Sequence, residues 1–362
     1  MMRNLYKANI CFLLFAISTL LFALPLEARV TGSCSNCHTM HNSQGGQSVA
    51  QDFNGLSFSP TDTPKKNLLI YSCLGCHSST VNTWQDNITK APIVFNTVPP
   101  TYGSQGLAGG NFYWVIDDET KGHNILSEDR QLDRAPGDTG FFNCVTNACH
   151  QNLYAPVSAP AYPELDGKQG CEKCHLDAKH HANDHEYLVG GLVTTADQGW
   201  YRFLSGHNTG DEKGVEGYED GDWQKTCSQN DHNEYLGNES AIGYGFLILG
   251  HTTTAYCTGC HVLFHSDQGS QSPWLRHPSA ETLPASGEYA NYTVYNCTVP
   301  VARPSLPPSD PSQVIPGADI VMCLSCHRAH ASPYYKMMRW DYKSSNLSDA
   351  LSGCNVCHTS KN

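Results

Sequence analysis

The stretch Ser33-Cys34-Ser35-Asn36-Cys37-His38-Thr39-Met40-His41 sets the pattern for the whole chain. Two cysteines separated by two residues, with a histidine directly after the second, can hold one haem by three bonds. The sulfurs add to the porphyrin vinyl groups as thioethers, and the imidazole reaches the iron from one face. The pattern returns at Cys73, Cys76 and His77, at Cys171, Cys174 and His175, and at Cys257, Cys260 and His261. It closes the chain at Cys323, Cys326 and His327 and at Cys354, Cys357 and His358. A wider version, with four residues between the cysteines, sets Cys144 and Cys149 before His150. A lone CxxCH is also met as a redox dithiol or as half a zinc site, but zinc sites need no histidine after each second cysteine. Six strict copies and one wide copy select covalent haem c, seven in number.

The amino terminus carries Arg3 and Lys7, an apolar run from Ile10 to Leu24 and a small-residue exit at Ala28, the marks of a secretory signal. The run is shorter than the roughly twenty residues of a membrane span. Residues 1–28 are expected to be removed, leaving 29–362 as one haem-organised unit with no membrane span. Export agrees with covalent haem attachment, which takes place outside the bacterial cytoplasm. Of 17 cysteines, 14 lie in the seven motifs and Cys11 lies in the signal. Cys227 and Cys297 remain, and in an oxidising compartment they are expected to form a disulfide, the alternative being two separate buried thiols.

Motif starts at 34, 73, 144, 171, 257, 323 and 354 follow no fixed period, which excludes a solenoid of equal repeats. With 31 glycines and 20 prolines and only 15% charged residues, the chain predicts loops and turns with short helices and few short strands. The haems then supply most of the apolar interior, the fold class of a multihaem c-type cytochrome. Local patterns predict a loop over 42–70, a hairpin within 92–116, a helix over 176–187 and a surface loop over 208–240. They further predict a short strand over 243–250, an extended surface connection over 299–316 and a short helix over 328–343. Without its signal the chain has 20 basic against 33 acidic residues, a net charge of −13, and haem propionates would add to it. Such a charge argues against nucleic acid and anionic membranes as partners and leaves basic redox proteins.

Seven irons with two axial ligands each need seven further donors. Eleven histidines lie outside the motifs, against few methionines, which favours bis-histidine iron of low potential. The distal candidates are His41, His123, His181, His207, His251, His277 and His330. His41 and His330 stand three residues after a motif histidine, so that one imidazole serves its own haem and the other a neighbour. His123, His207 and His251 each follow a glycine, which gives the backbone freedom to bring the ring over a porphyrin. His277 precedes a proline and is fixed in an extended loop. His180, His181 and His185 compete for one site or two, and His232 and His265 stand in reserve.

The segments GSCSNCHTMHNSQGG (32–46), GHNI (122–125), CLSCHRAH (323–330) and CNVCHTSK (354–361) together resemble the outer-surface multihaem cytochromes of metal-reducing bacteria. Some members of that family polymerise into filaments with a continuous haem chain, the cytochrome nanowires. The resemblance implies extracellular electron transfer to external acceptors, with redox partner cytochromes, metal oxide surfaces and the chain itself as partners. In a filament member of the family, the histidine equivalent to His41 binds a haem of the next subunit, and His41 takes that role by resemblance. Two rivals remain. A monomeric periplasmic shuttle would have the same motifs, and a multihaem oxidoreductase would need one iron with an open position.

Overall fold

Each of the six strict motifs closes one helical turn on itself. Residues three and four apart share a helix face, so a turn that starts at the first cysteine carries both sulfurs and the imidazole on one side. The amide of His38 donates to Cys34 O at 2.8 Å. The same bond joins His175 to Cys171, His261 to Cys257, His327 to Cys323 and His358 to Cys354 at 2.9 to 3.1 Å. Cys73–His77, Cys323–Cys326 and Cys354–Cys357 are single α-turns, and Cys34–Asn36 and Gly170–Lys173 are 3-10 turns. Cys257 sits in Thr253–Thr258, which Thr252 caps by accepting from the Ala255 amide. With six residues, that helix is the longest among the described residues.

The computed structural model describes residues 30, 32–53, 57–101, 107–127, 153–158, 163–182, 191–206, 214–238, 250–261 and 277–360. In these residues no helix is long and apolar enough to cross a membrane. Strands are two or three residues long. The widest sheet is antiparallel and three-stranded, with Leu192–Val193 and Glu234–Tyr235 flanking Gly217–Tyr218. This is the mostly irregular, turn-rich chain that the composition predicts.

Among the described residues, buried apolar side chains gather in three small clusters. One joins Val193, Val215, Tyr235, Ala302, Ile320 and Met322, and a second joins Phe95, Phe112, Val115, Ile125 and Ala331. The third, around Leu283, Tyr292, Tyr295, Val301 and Val314, packs against the disulfide Cys227–Cys297. Beside it, Arg303 is buried with Glu234 at 2.9 Å and Asp319 at 2.6 Å.

Several local expectations are corrected. The segment 42–70 forms two small hairpins, pairing Ser43–Gln44 with Gln47–Ser48 and Gln51–Phe53 with Phe58–Pro60. Among the described residues of 92–116 there is no hairpin: Phe95–Asn96 pairs in parallel with Ser78–Ser79, and Phe112–Val115 is a 3-10 turn. Residues 176–182 are turns rather than helix, and 328–343 holds only the 3-10 turn Tyr335–Met337. The segment 208–240 is not merely surface, because 217–218 and 234–235 form two strands of the sheet and Tyr235 is buried. In 299–316, Val301, Ala302, Arg303 and Val314 are buried, so proline marks the bends of a core segment there. The predicted strand over 243–250 lies almost wholly outside the described residues.

Candidate haem sites

A continuous cavity of about 3230 Å³ runs through the molecule, lined by the cysteines and histidines of all six strict motifs. Its walls carry imidazoles in facing pairs. Ring centres lie 6.2 Å apart for His38 and His181, 6.1 Å for His77 and His180, and 6.2 Å for His175 and His330. They lie 6.0 Å apart for His123 and His261 and 6.2 Å for His277 and His358. Two imidazoles whose nitrogens bind one metal at about 2 Å have ring centres about 6 Å apart, since each nitrogen lies about 1 Å from its own ring centre. The separation is too long for direct ring stacking and suits an iron between the rings. The pairs also join a motif histidine to a histidine from outside the motifs in every case. The residues therefore fit haem: two sulfurs, one proximal and one distal nitrogen, and a wide apolar cleft.

The hydrogen bonds fix which nitrogen faces the cleft. His38 Nδ1 donates to Asn67 O, His77 to Pro92 O, His175 to Arg202 O and His327 to Lys336 O, each at 2.9 Å. His123 Nδ1 donates to Ala329 O at 2.7 Å and His277 Nδ1 to Pro278 O at 3.0 Å. With the proton held on Nδ1, the Nε2 lone pair is left for a metal. Burial also disfavours the imidazolium form, pushing His77 down to about 4 and His261 and His330 down to about 3. His358 differs, because its Nδ1 donates to a carboxylate, Glu288 Oε1, at 3.0 Å.

Close packing of ring against backbone holds the distal side. His330 stacks on Phe112 with ring centres 4.6 Å apart. A Cβ on Gly109 would lie 2.8 Å from His330 Nδ1, and one on Gly110, at φ +82°, would collide with the Ala331 carbonyl oxygen.

Cysteine contacts give the order of the sites along the cavity. Cys76 lies within electrostatic reach of Cys37, and Cys73 within reach of Cys171. Tyr256, on the helix of the Cys257 motif, donates to Cys174 O. Cys257 lies within electrostatic reach of Cys323, and Cys326 of Cys354 and Cys357. The six motifs thus follow one another in sequence order: His38, His77, His175, His261, His327, His358.

Of the distal candidates, His123, His181, His277 and His330 each face a motif histidine. His180 does so too; the sequence left it competing with His181, and adjacent residues here serve different motifs. His232 is not placed to bind metal: its Nδ1 donates to Ser228 O at 2.8 Å, its Nε2 lies 3.0 Å from Glu234 Oε1, and its ring stacks on Tyr295 at 3.5 Å. His251 lies off the cavity, stacked on Trp200, with Nδ1 donating to Gly214 O. His41 is exposed and faces no imidazole among the described residues. Opposite His327, likewise, no imidazole stands at the pair distance among the described residues. Cys144, Cys149, His150, His185, His207 and His265 lie outside the described residues.

No protein-family model matches the chain. Two solved filament structures from Geobacter sulfurreducens, the Outer Membrane Cytochrome S Filament and the OmcS nanowires, overlay with TM-scores of 0.47 and 0.44 at 19% and 17% identity. Each overlay covers 92% of this chain and 100% of the other, and neither is close enough to carry over a residue position. In sequence, the chain is similar to the C-type cytochrome OmcS of Geobacter sulfurreducens, with 24% identity over 396 aligned residues that span 94% of this chain and 86% of that protein.

Proposed function

We propose that the chain binds one haem c at each CxxCH motif and one at the wide motif. It conducts electrons along the row as an exported, extracellular cytochrome that joins copies of itself end to end. The observation that carries this reading is the set of five imidazole pairs at 6.0 to 6.2 Å, each a motif histidine facing a histidine from elsewhere. When bound, the haems supply the one-electron couples. The chain orients them, closes both faces of the irons with imidazole and keeps the row continuous. Two coordinated imidazoles leave no position for a substrate, which favours conduction over catalysis.

An internal regularity supports the polymer. His38, His175 and His327 all donate to the carbonyl of a residue in left-handed conformation: Asn67 at φ 57°, Arg202 at φ 50° and Lys336 at φ 57°. These are the first, third and fifth sites of the described order, so the row is built of pairs. The first pair takes its distal ligands, His180 and His181, from just beyond the first motif of the second pair. The second pair takes His330 from just beyond the first motif of the third. By the same rule, His327 of the third pair would be completed from beyond a first motif, and no such histidine faces it among the described residues. His41 follows His38 by three residues, as His330 follows His327. A second copy would present it to His327, which also agrees with the resemblance to filament cytochromes and with the names of the proteins this chain is similar to.

The facing side of His327 also favours a second reading, an oxidoreductase with one open iron. Spin state separates the two. Ferric spectra of the assembled protein are expected to be wholly low-spin, with seven haems per chain by mass spectrometry. A high-spin iron that persists in the assembled protein supports the enzyme instead.

A further inference from the structure

We propose that Glu288 is a redox-tuning residue. Its carboxylate holds the imidazole of His358 and sets the iron of the Cys354–His358 site below the potentials of the sites whose motif histidine donates to a backbone carbonyl. The inference rests on the haem reading above and deepens it.

The motif histidines differ in the partner of Nδ1. His38, His77, His175 and His327 donate Nδ1–H to neutral carbonyl oxygens. His358 donates to Glu288 Oε1 at 3.0 Å, and the two side chains are only 20% and 14% exposed. A hydrogen bond to an ionised acceptor is roughly twice as strong as one between neutral groups, and partial burial strengthens it further. It draws the Nδ1 proton away and gives the ring imidazolate character, so Nε2 donates more electron density to iron and favours the ferric state. The negative charge adds to the effect in the same direction.

The carboxylate is held in place rather than offered loosely to solvent. Ser360 Oγ donates to its Oε2 at 3.2 Å, and Thr359 Oγ1 donates to the Glu288 carbonyl. Glu288 lies in the 3-10 turn Gly287–Asn291, so the turn and the chain after His358 fix one another. The neighbouring site has the opposite surroundings. Arg328 follows His327 directly, and Arg339 points Nη1 at His327 O at 3.5 Å; both arginines are buried. Positive charge beside one iron and negative charge on the ligand of the next draw the potentials of these two sites apart.

The rings of His358 and His277 also stand at 86°, the most nearly perpendicular of the five pairs. Perpendicular axial planes give a highly anisotropic low-spin ferric signal, which marks this iron in a redox titration of the holoprotein followed by electron paramagnetic resonance. In the native protein the most anisotropic signal is expected to be the last to disappear on reduction. With Glu288→Gln, which keeps an acceptor and removes the charge, that signal is expected to disappear earlier while the others keep their order. With Ser360→Ala, at an exposed position, the carboxylate loses a donor and pulls harder on His358, so the same signal moves later. If neither variant moves it, or if all signals move together, the tuning role is overturned. If no such low-spin signal exists in the native protein, the ligand reading of His358 fails as well.

Discussion

His330 faces His175 across 6.2 Å, although the histidine of its own motif, His327, lies only three residues before it. One short segment thus reaches two sites, and each of them needs the other's backbone to be in place. His330→Ala is therefore expected to convert one iron, that of His175, to the high-spin state, seen as a new high-spin ferric signal from one haem per chain. His232→Ala removes a more deeply buried histidine whose nitrogens are both engaged, and its spectrum should not change. A low-spin His330→Ala protein would contradict the pairing.

Much of this was legible in the sequence. The six motifs name their cysteines and proximal histidines directly, because one helical turn is all the local structure that chemistry needs. Glycine and proline content likewise announced the irregular fold. Distal ligands were harder, since they are set by tertiary packing. His330 could be inferred from its place three residues after His327, whereas His180 and His181 look equivalent and yet face different motif histidines. Segment 299–316 read as surface because of its prolines, but Arg303 turns it inward through Glu234 and Asp319. An ion pair of long range leaves no local mark in the sequence.

That buried arrangement is expected to dominate the stability of its region. Arg303→Met strands two buried carboxylates, and breaking a buried pair by removing one partner costs about 3 to 5 kcal/mol. Chemical denaturation at neutral pH should show a loss of that size, with the haem spectrum of the folded protein unchanged. A loss below about 1 kcal/mol would show the network to be dispensable.

Asp220 makes stability depend on pH. Burial, then its hydrogen bond with Asp222, raises its carboxyl to about 7, while the Gln224 amide donating at 2.6 Å works against the shift. A folded value above the unfolded one, about 4, means that the folded state holds the proton more tightly. Its stabilising contribution is therefore complete below about pH 4 and is lost as the pH rises to 7. Asp222 is shifted down and titrates below that window. Asp220→Asn should flatten the fall in denaturation midpoint between about pH 4 and 7. An unchanged slope would assign the pH dependence to other groups.

The central claim is that His41 of one copy completes the His327 site of another, so that the row of sites continues from chain to chain. It is tested most directly by electron microscopy of protein sheared from the cell surface, native and His41→Ala side by side, with the ferric spin state read on the same samples. The account predicts ordered filaments and wholly low-spin iron for the native protein, and discrete particles with one high-spin iron per chain for His41→Ala. Native protein that remains as discrete particles, or His41→Ala filaments with an unchanged spectrum, would contradict it.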